Sequence, residues 1–197
     1  MILNGVSLII LAGGESRRMG FPKHLLPAQV GTVMDHVINR IGHLFGEVII
    51  AGRNLEVSRT DVRVVEDVRH TRSPLVGILS GLLKADNPHA LVIGCDMPFV
   101  RKELVRHLAS KVAAGTDVVV PVIRGFYEPL CAVYSRSTSG IIEKYIDSGG
   151  TKVTGFFEFA TVAEVGEAEI RLFDPRLDSF INLNTPRDYV TYHSAGF

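Results

Sequence analysis

Apolar residues in this chain follow two rhythms. Ser7–Leu11, Glu47–Ala51, Val62–Val65, Ala90–Gly94 and Asp117–Val122 are short, almost continuously apolar runs rich in Val and Ile, the pattern of strands covered on both faces. Between most of these runs the apolar positions recur at helical spacing. Val33, Val37, Ile41 and Leu44 form one stripe of the Val33–Phe45 segment, and Leu75–Ala85 and Lys102–Ala113 repeat it. The polar stretch Arg53–Asp61 leaves little helix between the second and third runs. Alternating strands and helices predict an α/β protein, with a mostly parallel sheet and helices on both faces. In such sheets ligands bind beyond the carboxyl ends of the strands, so chemistry is expected just after the apolar runs. Further along, Ser137–Gly149 reads as a helix closed by Gly149-Gly150, Phe156–Val165 as a strand, and Arg187–Tyr192 as a last helix behind Pro186. With no repeat, low-complexity segment or linker, residues 1–197 are expected to form a single domain.

Composition narrows the class. Of the residues, 46% are hydrophobic and 21% charged, and Lys plus Arg balance Asp plus Glu at 21 each. No long-range field therefore points to nucleic acid or an anionic membrane, and any phosphate site must be local. Cys95 and Cys131 match no zinc or thioredoxin spacing. Two thiols in a chain of this size fit a reducing cytoplasm, although sequence leaves a disulfide between them open. The first apolar run has no basic residue before it. Glu15, Arg17 and Arg18 follow where a leader's cleavage region would be small and neutral. No run reaches the ~20 apolar residues of a membrane span.

Directly after the first run stands Leu11-Ala12-Gly13-Gly14-Glu15-Ser16-Arg17-Arg18-Met19-Gly20-Phe21-Pro22-Lys23. Adjacent glycines Gly13 and Gly14 allow dihedrals closed to other residues, so successive N–H groups can converge on an anion. Arg17, Arg18 and Lys23 add the fixed positive charge that a triphosphate requires. Lys23 is followed by His24 rather than Ser or Thr, so the loop is not a P-loop, and its glycine spacing is not G-x-G-x-x-G.

Asp96 follows the fourth run in Gly94-Cys95-Asp96-Met97-Pro98. There it is placed to hold Mg²⁺, which favours one or two carboxylates together with phosphate oxygens. The competing reading is a cap on the helix beginning near Arg101. Asp67, past the third run, is either an acceptor for a guanine ring's N–H groups or for a ribose hydroxyl, or the cap of the Ser73-Pro74-Leu75 helix. In Ile181-Asn182-Leu183-Asn184-Thr185-Pro186 an extended alternation turns Asn182 and Asn184 to one side, and Pro186 keeps the preceding residue out of helical geometry. Those amides either contact a ligand or satisfy loop backbone groups. The seven histidines show no metal spacing and read as structural or surface residues.

Taken together, L-A-G-G-x-S-x-R-M-G-x-x-K, P-L-x-G-I at Pro74–Ile78, C-D-x-P at Cys95–Pro98, E-P-L-x-A-x-Y at Glu128–Tyr134 and N-x-N-T-P at Asn182–Pro186 resemble molybdenum cofactor guanylyltransferase, the molybdopterin-guanine dinucleotide biosynthesis protein A family. The resemblance implies a Rossmann-like nucleotidyltransferase fold, Mg²⁺ as cofactor, and transfer of GMP from GTP to the phosphate of molybdopterin with release of pyrophosphate. By position, Leu11, Ala12, Gly13, Gly14 and Lys23 would hold GTP. Asp67 would take the guanine side, and Asp96 both GTP and Mg²⁺. Asn184 would be a second metal ligand, while Asn182 and Asn184 would lie with Glu128–Tyr134 on the pterin side. Lys23, Arg17, Arg18 and Asp96 would carry catalysis. Proteins that deliver or receive the cofactor are further expected partners. Two departures stand out: Ser73 replaces a glycine before Pro74, and the stretch Ala51-Gly52-Arg53-Asn54 does not align the asparagine that the family places near the base. A cytidylyltransferase acting on molybdopterin, a sugar-phosphate nucleotidyltransferase and a noncatalytic nucleotide-binding adaptor are the alternatives. Gly13 favours the guanine branch over the first, and Lys23 with Asp96 argues against the last.

Overall fold

The computed structural model describes residues 2–13, 22–71 and 73–193. The first apolar run becomes strand β1 (Val6–Leu11), buried along its whole length. Its alternate side chains enter two different cores: Leu8 and Ile10 one, Ile9 and Leu11 the other. This is why the run shows no polar alternation. The remaining strands are β2 (Val48–Gly52), β3 (Arg63–Glu66), β4 (His89–Gly94), β5 (Val118–Ile123), β6 (Phe126–Tyr127), β7 (Cys131–Ser135) and β8 (Val162–Gly166). They form one sheet in the order β3-β2-β1-β4-β7-β5-β6, with β8 pairing the free side of β5. Strands β1 to β4 pair in parallel, as do β5 and β8, whereas β7 runs antiparallel to both β4 and β5.

The helices are α1 (Val33–Ile41), α2 (Pro74–Lys84), α3 (Lys102–Ser110), α4 (Ser139–Asp147), α5 (Glu167–Ile170) and α6 (Pro186–His193). Residues of α1 and α3 pack into one core and those of α2 and α4 into the other, so the sheet is covered on both faces as expected. The predicted stripe is real: Val33, Val37, Ile41 and Leu44 are all fully buried. Thr32 and Asp35 start α1 with a reciprocal capping box. Helix α4 ends in a Schellman motif. Gly149 adopts φ 92°, its N–H donates to Ile146, and that of Gly150 donates to Tyr145.

Two expectations fail, and one strand has no counterpart among the expectations. Strand β3 is not covered on both faces: it is a sheet edge where only Val65 is buried. Phe156–Val165 is a strand only from Val162. Its first part belongs to a 3₁₀ helix, Val153–Phe159, that drives Phe156 and Phe157 edge-on into the core beside Tyr134. Strand β7, inside the E-P-L-x-A-x-Y motif, was not anticipated as a strand at all. No disulfide forms, since Cys95 and Cys131 are both free and buried. Among the described residues no helix is long and apolar enough to cross a membrane.

Candidate active site

Strand order reverses beside β1: the chain goes outward to β2 and β3, then returns to β4 on the other side. Such a switch point leaves a crevice beyond the strand ends. The crevice is flanked by Ala12-Gly13 after β1 and Cys95-Asp96 after β4. The N–H of Cys95 donates to the Leu11 carbonyl at 3.1 Å, locking the two strand ends together.

Gly13 is required for a reason other than the one sequence offered. Its φ is not positive. Instead it lies against Gly52 at the end of β2, where a Cβ on Gly52 would fall 2.7 Å from the Gly13 nitrogen and 3.1 Å from the Ala12 carbonyl carbon. Two facing glycines let the chain after β1 pass directly over β2, leaving its backbone accessible from the crevice. Gly14, Arg17 and Arg18 lie outside the described residues, as does the side chain of Lys23. The backbone of Lys23 opens a 3₁₀ turn, Lys23–Leu25. Its neighbour His24 is buried and hydrogen-bonded to the backbone of Ala12. Burial holds the His24 pKa below its usual value, against the opposing effects of Glu56 and the Ala12 hydrogen bond. A buried imidazole thus docks the Lys23 turn on the end of β1. Sequence had grouped His24 with the structural or surface histidines, and the apolar Leu25-Leu26 after it was the available signal.

Asp67 follows β3 on the same edge. One carboxylate oxygen, Oδ1, is buried without a hydrogen-bond partner, 3.8 Å from where a Cβ on Gly77 of α2 would stand. Burial pushes its carboxyl above the usual range, Arg53 pulls it down and Glu66 raises it. It does not cap α2. Ser73 does, accepting from the Leu75 N–H at 3.1 Å and donating to the Thr151 carbonyl at 2.6 Å. At φ −154° Ser73 sits in extended backbone that needs no glycine, so the departure from the family pattern is accommodated and gains a cap. Arg53, in the second departure, reaches across to the Arg69 carbonyl at 2.8 Å and braces the loop that carries Asp67. Asn54 adopts φ 52° and donates its N–H to Glu66.

Asp96 is half-buried, and its carboxylate folds back towards Gly94, whose missing side chain makes the room: a Cβ there would lie 2.6 Å from Oδ1. It does not cap α3. The N-cap is Arg101, and its N–H is met by the Ser179 hydroxyl. The Asp96 carbonyl accepts from the Leu183 N–H at 2.9 Å, which brings the N-x-N-T-P segment onto the same crevice. Leu183 points inward to Leu26 and Val33, while Asn182 is half-exposed and Asn184 exposed, as the alternation predicts. Part of the motif has a structural explanation. Thr185 accepts from the Asp188 N–H, and Asp188 from those of Thr185 and Asn184, so Thr185-Pro186 starts α6. The Asn182 amide donates to the Phe180 carbonyl at 3.2 Å.

On the far side of Asp96 the sheet continues with β7. Its leading residues Glu128–Leu130 reach the same edge, where the Leu130 carbonyl accepts from the Gly94 N–H. Buried Tyr134 donates to the Pro129 carbonyl at 2.7 Å and clamps this turn, which accounts for the final Y of the motif. Asp96 is a hard oxygen donor beside the crevice and fits Mg²⁺ chemically. Among the described residues no group of three or more His, Cys, Asp or Glu gathers to enclose a metal.

Comparison with known proteins agrees with this layout. Residues 8–161 match the family described as MobA-like NTP transferase domain. A probable molybdenum cofactor guanylyltransferase of Natranaerobius thermophilus is 35% identical over 94% of this chain and 93% of its own. A molybdenum cofactor guanylyltransferase of Desulfosudis oleivorans is 33% identical over the same 94% and 93%. The crystal structure of molybdopterin-guanine dinucleotide biosynthesis protein A from Archaeoglobus fulgidus superposes with a TM-score of 0.82 at 26% identity, covering 96% of this chain and 97% of that one. With this sheet, a family match across most of its length and relatives at 33–35% identity over nearly the whole chain, the chain belongs to the MobA-like NTP transferase family.

Proposed function

We infer that the protein is a molybdenum cofactor guanylyltransferase, transferring GMP from GTP to the phosphate of molybdopterin. The observation that carries the reading is the crevice at the strand reversal. There the accessible backbone after β1 and the Asp96 carboxylate after β4 are tied together by the Cys95–Leu11 hydrogen bond. In this reading the Ala12-Gly13 backbone, with Gly14, Arg17, Arg18 and Lys23, takes the triphosphate, and Asp67 takes the guanine edge. Asn182 contacts the acceptor, and Asn184 lies towards both acceptor and metal.

A phosphate-ester oxygen of the acceptor attacks the α-phosphorus of GTP. The new P–O bond forms as the bond to the bridging oxygen of the β-phosphate breaks, and pyrophosphate departs. No protein nucleophile is needed. The acceptor oxygen is already anionic near neutral pH (second pKa about 6), so no strong base is needed either. Catalysis comes from holding both phosphates in line and neutralising charge on the leaving group, the task of Lys23 and the loop arginines. Asp96, with Asn184, would hold Mg²⁺, which supplies Lewis-acid stabilisation of phosphate charge when bound. Cytoplasmic location, and exchange of the cofactor with maturation proteins, follow from the same reading. The free thiols are compatible with it, burial pushing Cys131 up to about 12.

The test is pyrophosphate release from GTP, CTP and ATP, with and without molybdopterin. Release with GTP only, and only with molybdopterin, is expected. Preference for CTP would reassign the base, and release without molybdopterin would reassign the acceptor.

A further inference from the structure

Beyond Asp96 a second groove of about 510 Å³ opens between the β5–β6 hairpin and residues 171–181, a size suited to a small heterocycle. The chain links it to the crevice. Ile181 lines the groove and leads into Asn182 and Leu183, whose N–H is bonded to Asp96. Phe126, Leu177, Phe180 and Ile181 supply its apolar walls, with Arg124, Arg171 and Arg176 along the rim, of which Arg171 is held by Glu167 and Arg176 by Asp178; Phe126 is 75% exposed, presenting a ring to whatever enters. Glu128 stands among them. It is half-buried, no hydrogen bond or ion pair engages its carboxylate among the described residues, and desolvation pushes its carboxyl above the usual range. The turn that carries it is fixed from below by the Tyr134 hydroxyl and from the side by its own N–H, which donates to the Pro121 carbonyl at 2.9 Å. A carboxylate that is partly desolvated, free of a protein partner and held in place is set to accept from ligand donors.

The chemistry of the acceptor supplies such donors. A pterin and a guanine share one edge: a ring N–H beside an exocyclic amino group, two parallel donors matched to the two oxygens of one carboxylate. We propose that Glu128 is the residue that selects the pterin ring of the acceptor, accepting from its ring N–H and 2-amino group in the groove walled by Phe126 and Phe180. Asp67 would read the same edge on guanine, so the crevice would carry one such carboxylate on each side of Asp96. The inference rests on the acceptor being a pterin, as proposed above.

The test uses the whole protein and two soluble probes, 6-hydroxymethylpterin and the matching lumazine, in which a carbonyl replaces the 2-amino group. The chain contains no tryptophan, so pterin fluorescence polarisation is read without that background. The unaltered protein should bind the pterin about tenfold or more tighter than the lumazine. Glu128→Gln should lose that preference while its GTP affinity, which reports an intact fold, stays the same. Glu128→Asp should keep the preference at reduced affinity. In GMP transfer, Glu128→Gln should raise KM for molybdopterin by about tenfold or more. An unchanged pterin preference or KM in Glu128→Gln overturns this inference alone. Failure of the unaltered protein to transfer GMP to molybdopterin overturns the acceptor reading and this inference with it.

Discussion

Replacing Asp67 by Asn should change stability and nucleotide affinity in opposite senses. In the free protein Oδ1 of Asp67 is buried without a partner, and burial raises the carboxyl above the ordinary aspartate value of 3.8. The sign follows from linkage. A carboxyl whose folded pKa exceeds its unfolded pKa contributes most below the unfolded value and loses that contribution as pH rises through the folded one. At pH 7 the ionised group therefore carries a desolvation cost, which Arg53 offsets in part. An unsatisfied buried group costs about 1–3 kcal/mol. For a half-exposed carboxylate the lower end applies, so Asp67→Asn should leave the thermal midpoint unchanged or raise it by up to ~2–4 °C. With GTP the balance reverses. In the proposed site the carboxylate would accept from guanine's N1–H and 2-amino groups, and hydrogen bonds to a charged group are worth about 1.5–3 kcal/mol. Asn offers one acceptor and turns a donor towards a donor, so GTP should bind roughly 10–150-fold more weakly.

Differential scanning fluorimetry reads the first effect and calorimetry the second. Inosine triphosphate, which lacks the 2-amino group, gives the internal control: the unaltered protein should prefer GTP, and Asp67→Asn should not. A variant that is less stable than its parent, or that keeps GTP affinity within about threefold together with the GTP preference, would refute the assignment of Asp67 to the base.

Three further outcomes test other parts of the site. Asp96→Asn should lower the rate of GMP transfer by about 10²–10³-fold or more with the circular dichroism spectrum retained, and near-normal turnover at saturating Mg²⁺ would displace the metal from Asp96. Gly52→Ala should weaken GTP about tenfold and cost about 1–3 kcal/mol of stability, because its Cβ would meet backbone atoms of Ala12 and Gly13 that have no rotamer escape; unchanged GTP affinity would disprove the requirement for close approach. His24, His36 and His89 all have pKa values lowered, chiefly by burial, so they contribute stability that is present above about pH 6.5 and lost as pH falls through their folded values. His24→Gln should accordingly lose less of its midpoint between pH 7 and 5 than the unaltered protein does, and equal losses would show that His24 is not the group titrating.

Much of this was legible in the sequence because burial on both faces leaves a local signature. The runs that became β1, β2, β4 and β5 needed no partner to be recognised. Strand β3 looked the same but is an edge, since Val-Val is equally compatible with one covered face. The second half misled for physical reasons too. Phe156-Phe157 is apolar and aromatic, as strands often are, yet both rings enter one core from a tight 3₁₀ turn. Strand β7 was hidden by Glu128-Pro129 at its start. The hairpin before it carried a readable signal, Arg124-Gly125 with φ 52° and 81°, the mirror-image turn that an X-Gly pair between apolar runs announces. At the site, residue types were legible and contacts were not. That Gly13 faces Gly52, or that Ser73 rather than Asp67 caps α2, depends on segments that meet only through the sheet.

Those through-space meetings bring three of the motifs together although they are scattered along the chain. Leu183 is the joint. Its N–H holds the Asp96 carbonyl, and its side chain is buried with Leu26 and Val33. Leu26 follows the turn that begins at Lys23, and that turn is itself docked on Ala12 by His24. The Tyr189 hydroxyl adds a second tie, donating to the Pro27 carbonyl at 2.9 Å. The segment that presents Asn182 and Asn184 is therefore packed against the one that carries Lys23, and both are anchored to the strand ends flanking the crevice. In-line transfer between two phosphates is sensitive to their relative placement more than to any single group. A site with no protein nucleophile gains most from such bracing, because its residues have little to do beyond holding charge in position.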